Sequence, residues 1–153
     1  IIIDTREANP YFHNYPLEIK KLDWADYCVI PNDQNVFFEK KEISDFAGTM
    51  SGGFDRFRRE LQRAKDKNAY IIVIIEAEYN QLLSINHLPH TKFIKAKADF
   101  LLHRTRDLYL EFDNFQMVAC GNKTKTIEII NKLLKMDNIK NYDIQFLLDS
   151  SII

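Results

Sequence analysis

Short apolar runs alternate with amphipathic stretches along the chain and predict a mixed α/β fold. β-branched residues open the chain at residues 1–3, and strand-like patterns recur at residues 17–22, 26–30 and 36–40. Short turn-forming segments separate the last three patterns, so we expect these strands to form a β-meander. The strand at residues 17–22 alternates apolar and charged residues and is expected to be half-buried.

The middle and the end of the chain predict helices that alternate with strands. Helical spacing covers residues 43–50 and 54–67 on either side of Gly52-Gly53, with Ser44 as the expected N-cap of the first helix. An apolar run at residues 70–75 is typical of a central strand covered on both faces. Further helices are predicted at residues 92–110, 124–136 and 142–148, and a strand at residues 115–120. The expected architecture is an α/β sheet with helices on both faces.

Composition bounds the class of protein. The 153 residues suit one domain, and 46% hydrophobic with 28% charged residues is typical of a globular protein. The net charge of −1 argues against a surface coated in positive charge but leaves local basic patches open. No apolar run is long enough to cross a membrane, and no signal peptide opens the chain.

Two cysteines indicate the compartment. Cys28 and Cys120 lie in apolar, strand-like segments, and neither belongs to a CxxC pair. We expect reduced, buried cysteines in an intracellular protein, cytoplasmic in a prokaryote or phage host and nuclear in a eukaryote, and not a secreted one.

Charged residues gather where the predicted strands end. Glu39 and Lys41 are two residues apart, so on a strand their side chains point to the same face. Asp45 follows about one helical turn later. A carboxylate beside an ammonium can hold a divalent cation and a phosphate together. A solvated ion pair explains a lone Glu-x-Lys equally well, so this segment needs support from elsewhere in the chain.

Further acids provide that support. Asp4 and Glu7 end the first predicted strand, and Asp26 begins a later one. A sheet can present such residues at one edge, where carboxylates hold Mg²⁺ or Mn²⁺ with water ligands left in place. Such ions activate water and relieve charge in phosphodiester hydrolysis. The alternatives are that Asp26 is an ordinary turn acid and that Arg6 pairs with its acidic neighbours.

The ordered motifs resemble those of the XPF-type structure-specific endonuclease domain, within the PD-(D/E)XK superfamily. The family patterns V-D-x-R-E, G-D-Y and E-R-K-x-x-x-D are similar to Asp4-Thr5-Arg6-Glu7, Asp26-Tyr27 and Glu39-Lys40-Lys41 with Asp45. The similarity continues through Gly52-Gly53 and the apolar strand ending in Glu76, and thus covers nearly the whole chain. It implies a restriction-endonuclease-like mixed sheet, in which a β-meander precedes β-α-β units, with helices on its flanks.

The resemblance also implies an activity. It points to a Mg²⁺- or Mn²⁺-dependent DNA endonuclease, acting on flap, fork or branched DNA in repair or recombination. Lys41 is the implied catalytic lysine, Asp45 its helper, and Arg6 either catalytic or structural. The implied metal ligands are Asp4, Glu7, Asp26 and Glu39, and the implied catalytic residues are Arg6, Asp26, Glu39, Lys41 and Asp45.

The chain departs from the family pattern in several places. Ala25 replaces the family glycine, Lys40 replaces an arginine, and the first helix is shortened to residues 8–16. The tandem helix-hairpin-helix domain of many members has no counterpart in these 153 residues, which leaves substrate choice open. The acids and Lys41 are retained, which argues against an inert partner subunit.

Basic residues at helical spacing indicate a DNA contact. Arg56, Arg59, Arg63 and Lys67 form either a phosphate-tracking face or a plain solvated face, and Lys40 is a further candidate contact. The family resemblance, together with apolar content at residues 92–110 and 124–136, implies a homo- or heterodimer. Two alternative functions stay open: a non-catalytic DNA-binding or scaffold subunit of a nuclease heterodimer, and a restriction-like or recombination nuclease that cuts ordinary duplex.

Overall fold

Six strands form one mixed sheet in the computed structural model, which describes residues 1–7, 16–29, 32–85 and 95–153. The strands are β1 (Ile2–Ile3), β2 (Glu18–Ile19), β3 (Tyr27–Cys28), β4 (Val36–Lys41), β5 (Tyr70–Ile75) and β6 (Phe115–Ala119). Their order in the sheet is β2-β1-β3-β4-β5-β6. β3 is antiparallel to both of its neighbours, and the other neighbouring pairs are parallel. The expected mixed α/β sheet is confirmed.

The order of the first strands differs from the predicted meander. β1 lies between β2 and β3, and its pairing with β3 places Ile2 opposite Cys28. β2 is therefore a parallel edge strand rather than the first strand of the meander. Ile3 of β1 is buried, whereas both residues of β2 are exposed. The prediction of a half-buried strand at residues 17–22 is wrong because the more apolar β1 takes the inner position.

Helices cover both faces of the sheet. They are α1 (Ile43–Met50), α2 (Phe54–Asp66), α3 (Tyr79–Leu83), α4 (Ala98–Glu111), α5 (Lys123–Leu133) and α6 (Ile144–Asp149), with a 3₁₀ turn at Ile139–Asn141. Ser44 is not the N-cap of α1, because β4 runs on to Lys41 and the extended residue Glu42 precedes the helix. Residues 95–97 are not helical, so α4 begins later than predicted. The predicted loop at Pro89 and most of the shortened helix at residues 8–16 lie outside the described residues.

β5 carries the core on both of its faces, as its apolar run predicts. Ile71, Val73 and Ile75 pack toward α1, α2 and α4, whereas Ile72 and Ile74 pack toward α5 and α6. The parallel pairing of β4 with β5 continues to Lys41, which lies opposite Ile75. The charged end of β4 is therefore fixed by the most buried strand of the sheet.

The two cysteines are free and buried, which agrees with the expectation from their apolar surroundings. Burial raises the pKa of the Cys120 thiol to about 12. Within the described ranges, every helix is too short or too polar to cross a bilayer.

Candidate active site

A cleft of about 770 Å³ opens where β4 meets α1. The sequence-predicted site residues that line it are Arg6, Glu7, Asp26, Glu39, Lys40, Lys41, Asp45 and Arg56. Asp4, Arg59 and Arg63 are not among the lining residues. Strands from both halves of the sheet thus bring together residues that are far apart in the sequence.

Glu39 and Lys41 form the centre of the cleft. The Lys41 Nζ atom donates a hydrogen bond to Glu39 Oε1 at 2.9 Å, as expected for side chains two apart on one strand. Lys41 is only 9% exposed, and its Nζ atom lies 5.5 Å from the ring centroid of Phe57. The ammonium is thus held between a carboxylate and an aromatic ring, with little freedom to move away.

Asp26 reaches the same cleft from the turn before β3. Its Oδ2 atom accepts a hydrogen bond from the Lys40 backbone N–H at 2.9 Å, and its own N–H donates to the Phe38 carbonyl at 3.0 Å. Burial, together with the negative charges of Glu39 and Glu7, raises the pKa of Asp26 to about 7, although the Lys40 N–H opposes that shift.

The electrostatics of the cleft favour a cation. Burial also raises the pKa of Glu39, against the opposing influence of Lys41. One oxygen of each carboxylate, Asp26 Oδ1 and Glu39 Oε2, accepts no hydrogen bond from the described residues. Two partly buried carboxylates that repel each other, each with one oxygen that accepts no hydrogen bond, are a natural pair of ligands for a divalent ion.

The number of ligands also restricts the kind of ion. In the described part of the chain, no group of three or more His, Cys, Asp or Glu side chains is arranged to hold a metal. Mg²⁺ is commonly held by one or two carboxylates and completes its shell with waters and substrate phosphates, and Mn²⁺ accepts the same oxygen ligands. Asp26 and Glu39 therefore fit Mg²⁺ or Mn²⁺.

Asp4 lies behind the cleft. Its carboxylate accepts hydrogen bonds from Arg6 Nε (2.5 Å), Arg6 Nη2 (3.1 Å) and the Leu22 N–H (2.6 Å), and it is 2% exposed. Although burial opposes it, these hydrogen bonds lower the pKa of Asp4. Both oxygens are engaged, so the predicted role of Asp4 as a metal ligand has no geometric support. Asp4 instead fixes Arg6 and the chain at Leu22.

The ERCC4 domain model matches residues 3–133 of this sequence. This chain belongs to the ERCC4 domain family. The matched region contains every predicted site residue, including the cleft residues of β4. Nucleases of this family generally depend on divalent metal ions, which is consistent with the two carboxylates that face the cleft.

Solved structures support the same assignment at the level of the fold. XPF from Aeropyrum pernix in complex with DNA superposes with a TM-score of 0.65 at 19% identity, over 88% of this chain and 62% of that one. A second structure of XPF from Aeropyrum pernix gives a TM-score of 0.63 at 17% identity, over 99% of this chain and 68% of that one. This chain thus spans 62% of the first of these structures. No curated protein matches the sequence significantly. The resemblance to the XPF-type nuclease domain is confirmed.

The contacts of two ERCC4 motif residues, Glu7 and Asp45, differ from those that the sequence suggested. Lys40 Nζ lies 3.0 Å from Glu7 Oε1, so Glu7 pairs with Lys40 rather than with Arg6. Asp45 lines the cleft in the first turn of α1 but is exposed and makes no hydrogen bond or ion pair with the described residues. Its role as the helper of Lys41 stays a prediction.

Glu60 of α2 is a residue near the site that sequence reasoning missed. Its Oε1 atom accepts a hydrogen bond from the Ala25 N–H at 3.3 Å, directly before Asp26. A signal was present in the sequence: Glu60 lies three residues after Phe57 and beside Leu61, so it borders the buried stripe of α2. The position of its partner, 35 residues earlier, was not predictable from the helix pattern.

The basic residues of α2 fall into two groups. Arg58 forms a two-pronged ion pair with Glu111, and Lys65 lies 3.0 Å from Asp113. The other group has no acidic partner among the described residues and consists of Arg56, Arg59 and Arg63. Arg56 also lines the cleft. These three positions lie three and four residues apart, so they follow one another along a single side of the helix.

Proposed function

We propose that residues 1–153 form the single nuclease domain of a Mg²⁺- or Mn²⁺-dependent DNA endonuclease. It hydrolyses phosphodiester bonds in flap, fork or branched DNA, in repair or recombination. The observation that carries this proposal is the cleft in which Asp26 and Glu39 keep free carboxylate oxygens beside the buried ammonium of Lys41. Membership of the ERCC4 family supports it, as does the DNA complex formed by the similar XPF of Aeropyrum pernix.

Each cleft residue has a distinct task in this proposal. Asp26 and Glu39 would hold the ion, which when bound lowers the pKa of a ligated water and polarises the phosphate. Lys41 places a positive charge where negative charge develops on the phosphorane oxygens. Its hydrogen bond to Glu39 and its contact with Phe57 fix the ammonium before DNA binds, so little reorganisation is needed.

A panel of DNA substrates tests this function. Linear duplex, flap, fork and four-way junction, built from the same strands, are incubated with the protein in Mg²⁺ and, in parallel, in EDTA. We expect cuts near the branch point in Mg²⁺ and none in EDTA. Cutting of linear duplex alone would instead favour a restriction-like or recombination nuclease. Absence of both cleavage and Mn²⁺ binding would favour a non-catalytic subunit.

The α2 arginines that have no acidic partner among the described residues, Arg56, Arg59 and Arg63, are proposed to follow the DNA backbone away from the cleft. Replacing Arg56 and Arg59 with Ala should reduce the slope of log affinity against log salt by about 2, since each phosphate contact contributes about 0.9. The matched control replaces Arg58 and Lys65, which removes two charges from the same helix but from residues already paired. Fluorescence anisotropy at several salt concentrations measures both slopes, and equal slopes for the two double variants would contradict the assignment.

Dimerisation is the remaining part of the proposal. Residues 124–136 cannot supply the expected apolar face, because Ile129, Ile130 and Leu133 are buried in the core of the same chain. α4 can, since Tyr109 is 46% and Leu110 is 79% exposed. We expect a homo- or heterodimer that uses the α4 side of the molecule, and light scattering across a range of concentrations tests it. A monomer mass that stays constant at all concentrations would exclude a homodimer.

The geometry of β6 limits how such a partner can bind. Two outward N–H groups of this edge strand are already engaged: Met117 N–H donates to the Tyr109 hydroxyl and Ala119 N–H to Gln145 Oε1, both at 2.7 Å. An incoming strand would have to break both hydrogen bonds. The proposed dimer therefore forms through side chains rather than by extension of the sheet.

A further inference from the structure

The turn that delivers Asp26 to the cleft contains a residue in an unfavourable conformation. Ala25 has a φ of +58°, in the left-handed region that residues other than glycine rarely adopt. It is 4% exposed, so water does not compensate its backbone groups. Such a conformation persists only where surrounding contacts hold it.

Contacts on both sides of the turn define the direction of Asp26. On one side, β4 holds Asp26 through the Phe38 carbonyl and the Lys40 N–H. On the other side, the Ala25 N–H is held by Glu60 Oε1 of α2, at 3.3 Å. Because Ala25 and Asp26 share a peptide bond, a change in the backbone of Ala25 rotates the start of Asp26.

Glu60 acts near the cleft without entering it. It is not among the cleft-lining residues. Its charge nevertheless reaches the site. Burial is the largest cause of the raised pKa of Glu39, and the negative charge of Glu60 raises it further. Glu60 also adds to the effect of Asp4 in raising the pKa of Arg6. Glu60 is thus a partly buried acid whose charge influences two residues of the cleft, Glu39 and Arg6.

We propose that Glu60 is a positioning residue, which holds the left-handed turn at Ala25 through its carboxylate oxygen and thereby aims Asp26 into the cleft. This role rests on the proposed function, since it assumes that Asp26 is a metal ligand. Side chains that orient metal ligands typically change metal affinity by about 10- to 100-fold when they are removed.

Three substitutions separate the hydrogen bond from the charge. Glu60→Ala removes both. Glu60→Gln removes the charge but keeps an acceptor oxygen at the same distance from the backbone. Glu60→Asp keeps the charge but has a side chain that is one methylene shorter. Glu111→Gln is the control, because it removes an exposed acid that pairs with the same helix at Arg58. Calorimetric titration with Mn²⁺ alone measures the affinity of each variant, and hydrogen exchange measures protection of the Ala25 amide without metal.

We expect Glu60→Ala and Glu60→Asp to bind Mn²⁺ about 10-fold more weakly than the parent and to exchange the Ala25 amide faster. Glu60→Gln and Glu111→Gln should match the parent in both measurements. Parental affinity in Glu60→Ala, or a Glu60→Gln variant as weak as Glu60→Ala, would overturn the role. A parent protein that binds no Mn²⁺ would instead overturn the proposed function, while the exchange data would still test the hydrogen bond.

Discussion

Asp26→Asn is expected to make the metal-free protein more stable at pH 8 while reducing its cleavage activity at least about 100-fold. Burial and the charges of Glu39 and Glu7 raise the pKa of Asp26 from 3.8 to about 7. In the unfolded chain the Asp26 carboxyl has its ordinary pKa and loses its proton at a lower pH than in the folded protein. The free energy of unfolding of the parent therefore falls as the pH rises from the lower pKa to the higher one. The full shift corresponds to roughly 4 kcal/mol at most. Asn carries no charge and still accepts from the Lys40 N–H.

Urea unfolding of parent and variant at pH 5 and pH 8, without metal, measures this effect. The stabilising effect of Asp26→Asn should be larger at pH 8 than at pH 5. Asp23→Asn is the matched control, because Asp23 is an exposed acid in the same turn, and it should change neither stability nor cleavage. If Asp26→Asn destabilises the protein equally at both pH values, the charged Asp26 carboxylate does not destabilise the metal-free protein, and this prediction is wrong.

Lys41→Met is expected to lower the cleavage rate by about 10²- to 10³-fold while Mn²⁺ binding is retained. The substitution removes the ammonium that lies 2.9 Å from Glu39 Oε1 and frees that oxygen for the ion. Methionine is long and apolar enough to keep the contact with Phe57. The loss should therefore appear in the rate constant for cleavage and not in the affinity for metal.

Lys40→Met provides the matched comparison, since Lys40 also lines the cleft but pairs with Glu7 rather than with Glu39. Both variants lose one positive charge at neighbouring positions of β4. Single-turnover cleavage of a flap in saturating Mn²⁺ should be much slower for Lys41→Met than for Lys40→Met. Equal losses would mean that the cleft needs positive charge in general and not the ammonium of Lys41 in particular.

The sequence was sufficient where local geometry determines the outcome. The two-residue period of a strand predicts that Glu39 and Lys41 share a face, and the structure shows their hydrogen bond. Helical spacing and the Gly52-Gly53 break predict α1 and α2 closely. The apolar run of residues 70–75 predicts a strand buried on both faces, which β5 is.

The sequence was insufficient where tertiary contacts choose among similar partners. Asp4 and Glu7 are both near Arg6 in the chain, yet Arg6 binds Asp4, whereas Glu7 binds Lys40 of β4. Among the α2 arginines, Arg58 is paired because Glu111, at the end of α4, lies beside it. The pattern of α2 alone does not predict that contact. The same holds for the position of β2, because the apolar β1 competes for the place next to β3.

Cleavage of a flap by the parent and by Glu39→Gln, in Mg²⁺ and in EDTA, decides whether DNA is cut through a divalent ion held by Glu39. Gln keeps the size of the side chain but removes the charge that would hold the ion. The proposed metal site requires that the parent cuts in Mg²⁺ and not in EDTA, and that Glu39→Gln is at least about 100-fold slower in Mg²⁺. Cleavage by Glu39→Gln at the parental rate, or cleavage by the parent that persists in EDTA, would contradict it.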